Sequence, residues 1–348
     1  MKPVTKYRNI PLFYPYVSKS MKQAALKAMG EKMITQGETV SDFEKKLSSA
    51  LSIKYPVAVN SCSSALELAY HLMDFKPGDE VISPVFTCSI TTLALLRRGV
   101  KVIFADVKEN MMLDWDHAER KITSKTKAIV DVHLFNQLNE TRDLQIPVIG
   151  DAAQYLGKTR GEIFTTYSFQ ATKAITTVDG GILTCARIDD YKRAKLLRWY
   201  GIDRETGKDN IDVDILEAGY KYHMNNVTAA IGLSALSHLP KIRSKLKTLE
   251  NYYHQALKGN PGLKLMGGSP FLVHTRERSK LRKFLVKSGI ETGLVHRRND
   301  AYTVFGGKRL NLPCMNRLES TYLLLPCRGN MSLRDVEFIC REIKRYFK

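Results

Sequence analysis

No apolar run in this chain of 348 residues approaches the ~20 residues a bilayer-spanning helix needs, and Met1 to Asn9 lack the apolar stretch of a signal peptide. Neither a membrane span nor export by that route is expected, and the chain reads as cytoplasmic. Cysteine pairs are missing too. Cys62, Cys88, Cys185, Cys314, Cys327 and Cys340 form no C-x-x-C and no His-rich spacing, so neither a metal site nor a redox centre is expected. The six thiols are expected to be reduced and mostly buried. Repeats, charged linkers and Gly/Pro-rich tracts are absent as well, so nothing separates independent modules. Acidic residues are scarce: 35 Asp and Glu face 54 Lys and Arg, a formal charge of +19. Such an excess favours polyanions, acidic membranes or phosphorylated small molecules. It is spread over Lys19 to Lys32, Arg187 to Arg204, Lys241 to Lys258 and Arg276 to Arg298. No nucleic-acid reader motif goes with it, so nucleic acid is not the expected partner. A solvated basic surface explains the spread as well as ligand steering does.

What is present is an ordinary folded composition, 44% hydrophobic and 26% charged, in a chain long enough for one large domain and a smaller partner. Short apolar runs alternate with helix-period segments between about 55 and 185: Val57 to Val59, Glu80 to Ser83, Val102 to Val107, Ala128 to Leu134, Pro147 to Asp151, Tyr167 to Phe169 and Gly181 to Cys185. That alternation predicts an α/β domain with a mainly parallel sheet flanked by helices. Ala65, Leu66, Leu68, Ala69, Leu72 and Met73 recur at helical spacing, and Lys76-Pro77-Gly78-Asp79 closes that helix. Helices are predicted over 189–200 and 225–239, Pro240 marks a break, and a basic helix follows over 241–257. The remainder reads as a small α+β unit, with strands at 271–275 and 322–325 and helices at 276–288 and 332–347. The expected division is 1–240, a large cofactor-binding domain with an N-terminal arm, and 241–348.

Three segments carry chemistry. Asn60-Ser61-Cys62-Ser63-Ser64-Ala65 follows a strand and opens a helix, where backbone N–H groups and hydroxyls converge as they do around a phosphate. Plain helix capping by Ser or Asn is the alternative reading. Ile146 to Gln154 is an apolar strand delivering Asp151 and Gln154 at its carboxyl end, where open α/β sheets bind ligands. A carboxylate there can face a pyridine nitrogen and keep the ring protonated; it can equally cap the next helix. Tyr167 to Lys173 then ends a strand and sets Lys173 in a turn, before Asp179-Gly180-Gly181 and another strand. A lysine so placed can supply the primary amine that a carbonyl cofactor needs, with Ser168 offering a hydroxyl; alone it would read as a surface lysine.

Together these segments resemble the DegT/DnrJ/EryC1/StrS family of sugar aminotransferases, with the aspartate-aminotransferase (type I) fold. The resemblance extends to Ile34-Thr35-Gln36-Gly37 with Phe43-Glu44, Gly78 to Ile82, Thr126 to Ile129, Val132-His133-Leu134-Phe135, and Tyr222-His223-Met224 before Ala229-Ala230-Ile231-Gly232. It implies a seven-stranded sheet and pyridoxal 5'-phosphate as cofactor, alternating with its pyridoxamine form. Lys173 would hold the cofactor as a Schiff base, Asp151 would face the ring nitrogen, Gln154 would lie beside the ring hydroxyl, and Cys62, Ser63 and Ser168 would surround the phosphate. A homodimer with shared active sites is implied, the Gly219 to Tyr222 segment reaching the partner's phosphate. Three departures from the family pattern stand out: Cys62-Ser63 replaces a Gly-Thr pair, Cys88 stands where an aromatic ring usually stacks, and Lys221 replaces an asparagine at the phosphate. The implied reaction moves an amino group from glutamate to a nucleotide-linked keto-sugar, a 4-keto-6-deoxyhexose being the expected acceptor. Candidate substrate contacts are Gly37, His133, His296, Arg297 and Arg298, with the basic run Lys192 to Arg204; solvated arginines and a structural His133 are the alternatives. A non-nucleotide keto substrate is the alternative within the family, and a nucleic-acid-binding regulator the alternative outside it.

Overall fold

A computed structural model describes residues 9–203 and 214–348. Seven strands, β1 (Pro56–Val59), β2 (Glu80–Pro84), β3 (Lys101–Ala105), β4 (Thr126–Val132), β5 (Val148–Ala152), β6 (Phe164–Ser168) and β7 (Gly181–Cys185), form one sheet in the order β1-β7-β6-β5-β4-β2-β3. Only β7 runs against its neighbours, β6 and β1, so the sheet is mainly parallel as expected. Every residue of β5 is buried, the pattern of a central strand covered on both faces. A second, antiparallel sheet of β8 (Lys264–Gly267), β9 (Phe271–His274) and β10 (Tyr322–Leu325), in the order β10-β9-β8, lies in the C-terminal third. Its first strand was not expected.

The helices are α1 (Lys19–Met29), α2 (Glu38–Leu51), α3 (Cys62–Leu72), α4 (Ser89–Leu96), α5 (Trp115–Glu119), α6 (Ile188–Leu197), α7 (Asn226–Ser237), α8 (Leu239–Leu257), α9 (Arg278–Lys287), α10 (Pro313–Leu318) and α11 (Leu333–Tyr346). Sequence signals account for several ends. The Ser18 side chain accepts from the Met21 N–H at the start of α1, Asn225 does the same for Thr228 at α7, and Ser332 and Asp335 form a capping box at α11. Along α11, Val336, Ile339, Cys340 and Ile343 are buried at helical spacing and seat it on the core. The expected break is present at His238, between α7 and α8, and Pro240 occupies the first turn of α8, where its missing N–H costs nothing. One apolar cluster includes Phe43, Ile182 and Ala229 together with Leu246, Val273 and Ile339, so packing runs continuously past residue 240. All six cysteines are free: Cys185, Cys327 and Cys340 are buried, Cys62 and Cys314 half-buried, and Cys88 exposed, so burial is less general than expected.

Candidate active site

The carboxyl ends of β5 and β6 build the site. Asp151 is 2% exposed, with Val132 and Thr166 beside it on the neighbouring strands. Its Oδ2 accepts from the Thr91 hydroxyl at 2.7 Å, and its Oδ1 from the Ala153 N–H at 3.0 Å. Thr91, on α4, is itself buried and linked to Thr87, while its carbonyl accepts from the Tyr70 hydroxyl. Among the described residues no cation lies within 4.0 Å of this carboxylate. A buried carboxylate oriented by neutral donors and lacking a counter-cation favours a protonated heterocycle against it.

Lys173 sits in the turn between β6 and β7, and that turn is pinned from several sides. Its N–H donates to the Gln170 carbonyl at 2.9 Å, and Gln170 Oε1 accepts from both the N–H and the hydroxyl of Thr172. The Thr177 N–H and the Thr176 hydroxyl both donate to the Phe169 carbonyl, and the buried Phe169 ring meets Phe43 edge-on at 5.5 Å. The backbone therefore fixes where the lysine side chain starts.

On the other side stands the N-terminus of α3. Ser61 caps it, accepting from the Ser64 N–H at 3.1 Å. Gly181 lets β7 approach: a Cβ there would lie 2.5 Å from the Cys62 nitrogen. Ser168 pairs with Gly181 across the sheet, so this helix end and the Ser168 hydroxyl belong to one corner of the sheet. Burial pushes the Cys62 thiol well up and Asp151 adds to the shift; the Thr166 hydroxyl and the Lys173 ammonium pull it down. Asp151, Lys173 and the opening of α3 thus lie within electrostatic reach of one sulfur atom.

Lys173, Gln154, Ser168 and His296 line a cavity of about 230 Å³, walled further by Tyr14, Tyr155, Ser269 and Arg328. Gln154 Oε1 accepts from the Phe135 N–H at 3.2 Å, which turns its amide nitrogen to His296 Nε2 at 2.9 Å. His296 must then accept, and an accepting Nε2 means a neutral ring. The electrostatics agree: burial, with help from the Lys173 ammonium, pushes His296 down to about 4.

Pyridoxal phosphate requires an amine for its aldehyde, a carboxylate for its ring nitrogen and an anion site for its phosphate. Lys173, the counter-cation-free Asp151 and the first turn of α3 with Ser63 and Ser168 supply these from one corner of the sheet, so the residues fit the group. Sequence reasoning named those residues; it did not name Thr91, Tyr14 or Arg328, which belong to no motif.

Other expected contacts fall elsewhere. Arg298 is 1% exposed and paired with Asp300 at 2.7 Å, its guanidinium also bonded to Asn316 and the Leu310 carbonyl. It is a buried strut rather than a substrate contact, because a carboxylate two residues on neutralises it. Arg297 is exposed, stacks on Tyr302 and donates to the Ala301 carbonyl, outside the cavity. His133 is fully buried: its Nδ1 accepts from the Asn139 N–H, its Nε2 faces Glu162 at 3.1 Å, and Asp131 lies 3.8 Å away. The structural alternative holds for His133. Asp131, His133 and Glu162 have the spacing of metal ligands, but both imidazole nitrogens are engaged within the protein. Gly37 packs against Asn226, which accepts its N–H, and lies outside the cavity of its own chain. Within the basic run, Arg193 pairs with Asp74 and Glu217, Arg198 pairs internally with Glu44, and Arg204 lies outside the described residues. Cys88, the exposed N-cap residue of α4, stays by the site, its thiol within electrostatic reach of the Cys62 sulfur, and Lys221 is exposed, its carbonyl accepting from the Asn60 side chain beside the α3 cap.

A mainly parallel sheet with a lysine, a lone buried carboxylate and a helix N-terminus at its carboxyl edge defines a pyridoxal-phosphate site of the type I arrangement. The DegT/DnrJ/EryC1/StrS aminotransferase family model matches residues 15–344, and the chain belongs to that family. It is similar to GDP-perosamine synthase of Escherichia coli, with 28% identity over 98% of this chain and 99% of the relative. It is similar also to the UDP-4-amino-4,6-dideoxy-N-acetyl-beta-L-altrosamine transaminase of Campylobacter jejuni, with 26% identity over 90% of this chain and 91% of the relative. Among solved structures, AtS13 from Actinomadura melliaura superimposes with a TM-score of 0.90 at 30% identity, covering 97% of this chain and 99% of that one.

Proposed function

We propose that this protein moves the amino group of glutamate to a nucleotide-linked keto-sugar, with a 4-keto-6-deoxyhexose as acceptor, in amino-sugar synthesis. The observation that carries the reading is the joint placement of Lys173 and Asp151 at one carboxyl edge of the sheet. The names of the relatives support the nucleotide-sugar class.

When bound, pyridoxal phosphate supplies the electron sink that lets a proton leave a carbon bearing the amino group. Asp151, oriented by Thr91 and the Ala153 N–H, would hold the ring nitrogen protonated. Lys173 Nζ would carry the cofactor at rest, then move a proton between the reacting carbons in each half of the cycle. Neutral His296 keeps Gln154 turned so that its carboxamide borders the ring's place without adding charge. Tyr14 and Tyr155 line the cavity wall.

A homodimer with shared sites belongs to the same reading. It is supported by exposed apolar side chains on and beside α1, namely Leu26, Met29, Met33 and Ile34, which a partner would cover. Under this reading Gly37, Lys221 and the 219–222 segment serve the partner's site. No helix among the described residues is long and apolar enough to cross a membrane, and we place the reaction in the cytoplasm, with the division at 240 supported by the two separate sheets.

The test is spectroscopic. The purified protein should show a visible cofactor band that is lost in Lys173→Ala and bleached by glutamate. The bleached enzyme, offered a panel of UDP-, dTDP- and GDP-linked keto-sugars, should regain the band with at least one. Silence of the band towards glutamate and every other amine would rule the reading out.

A further inference from the structure

Several arginines of this chain are withdrawn from solvent, and their partners differ. Arg298 holds Asp300, Arg198 holds Glu44, and Arg193 holds Asp74 and Glu217. Arg278 and Arg328 have no carboxylate partner among the described residues; Arg278 donates to the Glu319 carbonyl and stacks on Tyr322, whereas Arg328 faces a cavity. Arg328 follows Cys327 just after β10 and lines the cavity that contains Lys173. Its Nε donates to the Pro11 carbonyl at 3.2 Å and its Nη1 to Asn330 Oδ1 at 2.9 Å, while the Tyr14 ring lies 5.9 Å from the guanidinium. No carboxylate among the described residues lies within 4.0 Å of it, and Nη2 has no described partner. Burial pushes Arg328 down, against the opposing pull of Asp335. A half-buried guanidinium costs free energy unless an anion meets it, and among the described residues no carboxylate comes within contact, Asp335 acting only at longer range.

The charge inventory of the cavity sharpens this. Among the described residues its lining holds no Asp or Glu. Lys173 is committed to the cofactor aldehyde, and His296 is neutral, so among the described residues of the lining Arg328 is the cation left for a ligand.

Resting on the transaminase reading, we propose that Arg328 is a specificity-determining residue that receives a carboxylate of the reacting substrate inside the Lys173 cavity. The free donors fit that group. With Nε and one Nη1 hydrogen engaged, the guanidinium presents Nη2 and the other Nη1 hydrogen, and a carboxylate needs one such donor edge. A diphosphate brings at least two charges, and among the described residues no second uncommitted cation lines the cavity. The backbone anchor at Pro11 and the Tyr14 contact tie the N-terminal arm to this group, so the arm helps to aim it. Two substrates offer the chemistry: the amino-acid donor carries carboxylates, and a uronic-acid acceptor, which would replace the 6-deoxyhexose proposed above, carries one. The residue acts on either through the same donor edge.

The experiment uses holoenzyme, with Arg328→Gln and Arg328→Lys beside wild type. Calorimetric titration with glutarate probes the donor, and titration with glucuronate probes an acidic sugar. Wild type should bind at least one saturably. Arg328→Gln should weaken that binding about tenfold or more, with Arg328→Lys between, while the cofactor band keeps its position and intensity. The probe that responds identifies the source of the carboxylate. Equal binding by wild type and Arg328→Gln overturns the proposal, as does wild type binding neither probe. Competition by pyrophosphate but not by glutarate or glucuronate overturns it as well, assigning Arg328 to the nucleotide. If glutamate bleaches wild type and Arg328→Gln with the same concentration dependence, and glucuronate binds both equally, only this inference falls; if glutamate and other amines leave wild type unbleached, the transaminase reading falls first.

Discussion

Replacing Thr91 by Val isolates the support that aims Asp151 without touching the carboxylate. The Thr91 hydroxyl donates to Asp151 Oδ2 at 2.7 Å, and both side chains are almost wholly buried, so water does not take its place. Valine matches the shape and keeps the β-branch in α4, while the Tyr70 bond to the Thr91 carbonyl is unaffected. What disappears is one hydrogen bond to a charged group, worth ~1.5–3 kcal/mol, and the link to Thr87. If that bond sets the carboxylate against the cofactor ring nitrogen, its loss should appear as cofactor dissociation about 10- to 150-fold weaker, at ~1.4 kcal/mol per decade. The assay is titration of apo-protein with pyridoxal phosphate, followed by its visible band, with Thr91→Ser as the variant that restores the hydroxyl. Unchanged affinity in Thr91→Val, with intact folding by circular dichroism, would refute the claim that Thr91 positions Asp151.

The remaining predictions address charge and packing. In cofactor-free protein, His296 has its pKa pushed from 6.5 down to about 4, so the unfolded chain binds the proton more readily. This contribution is fully present above pH 6.5 and is lost as pH falls towards 4; wild type should lose up to ~3 kcal/mol relative to His296→Asn over that window, read by denaturant unfolding at stepped pH. Gly181→Ala would put a methyl 2.5 Å from the Cys62 nitrogen and the Ser61 carbonyl carbon, both backbone. A loss of about 3 kcal/mol, or failure to hold the cofactor, is expected, and a normal melting temperature with normal cofactor loading would contradict it. Arg198→Met strands the buried Glu44 and should cost ~3–5 kcal/mol, whereas the double change with Glu44→Gln should recover part of it. Additive losses in that double-mutant cycle would show the pair to be uncoupled.

The fold was readable where burial and periodicity coincide. Six of the seven strands of the large sheet fall on the apolar runs that predict them, whereas β6 shares only Tyr167 and Ser168 with its run, because Thr165 and Thr166 break the apolar pattern in its middle. β8 escaped because only Leu265 and Met266 lie between Lys264 and Gly267, and α1 and α2 because their apolar faces meet α7, far along the chain. In the site, Lys173, Asp151 and the Ser61 to Ser64 turn were legible because each needs a particular residue type at a strand or helix end. Thr91 was not: it lies sixty residues before Asp151 in sequence, and only the fold brings its hydroxyl to the carboxylate.

The arginines show most plainly what sequence spacing leaves undecided. Arg297-Arg298 attracts attention because adjacent cations suit a diphosphate, yet the side chain at 298 is consumed by Asp300. Arg328 stands in a segment with nothing to mark it and keeps a donor edge free in the cavity. The difference is a matter of counter-charge, which chain distance does not report: Glu44 meets Arg198 from 154 residues away, and Arg193 gathers carboxylates from both sides in sequence. A formal charge of +19 therefore overstates the cation available to ligands. Once the internal pairs are set aside, what matters for recognition is which cation the fold leaves unneutralised beside the reacting carbon. Removing Arg328 should accordingly alter substrate affinity more than removing exposed Arg297, even though the two substitutions change net charge equally; matching effects on KM would show that bulk charge, and not the cavity, selects the substrate.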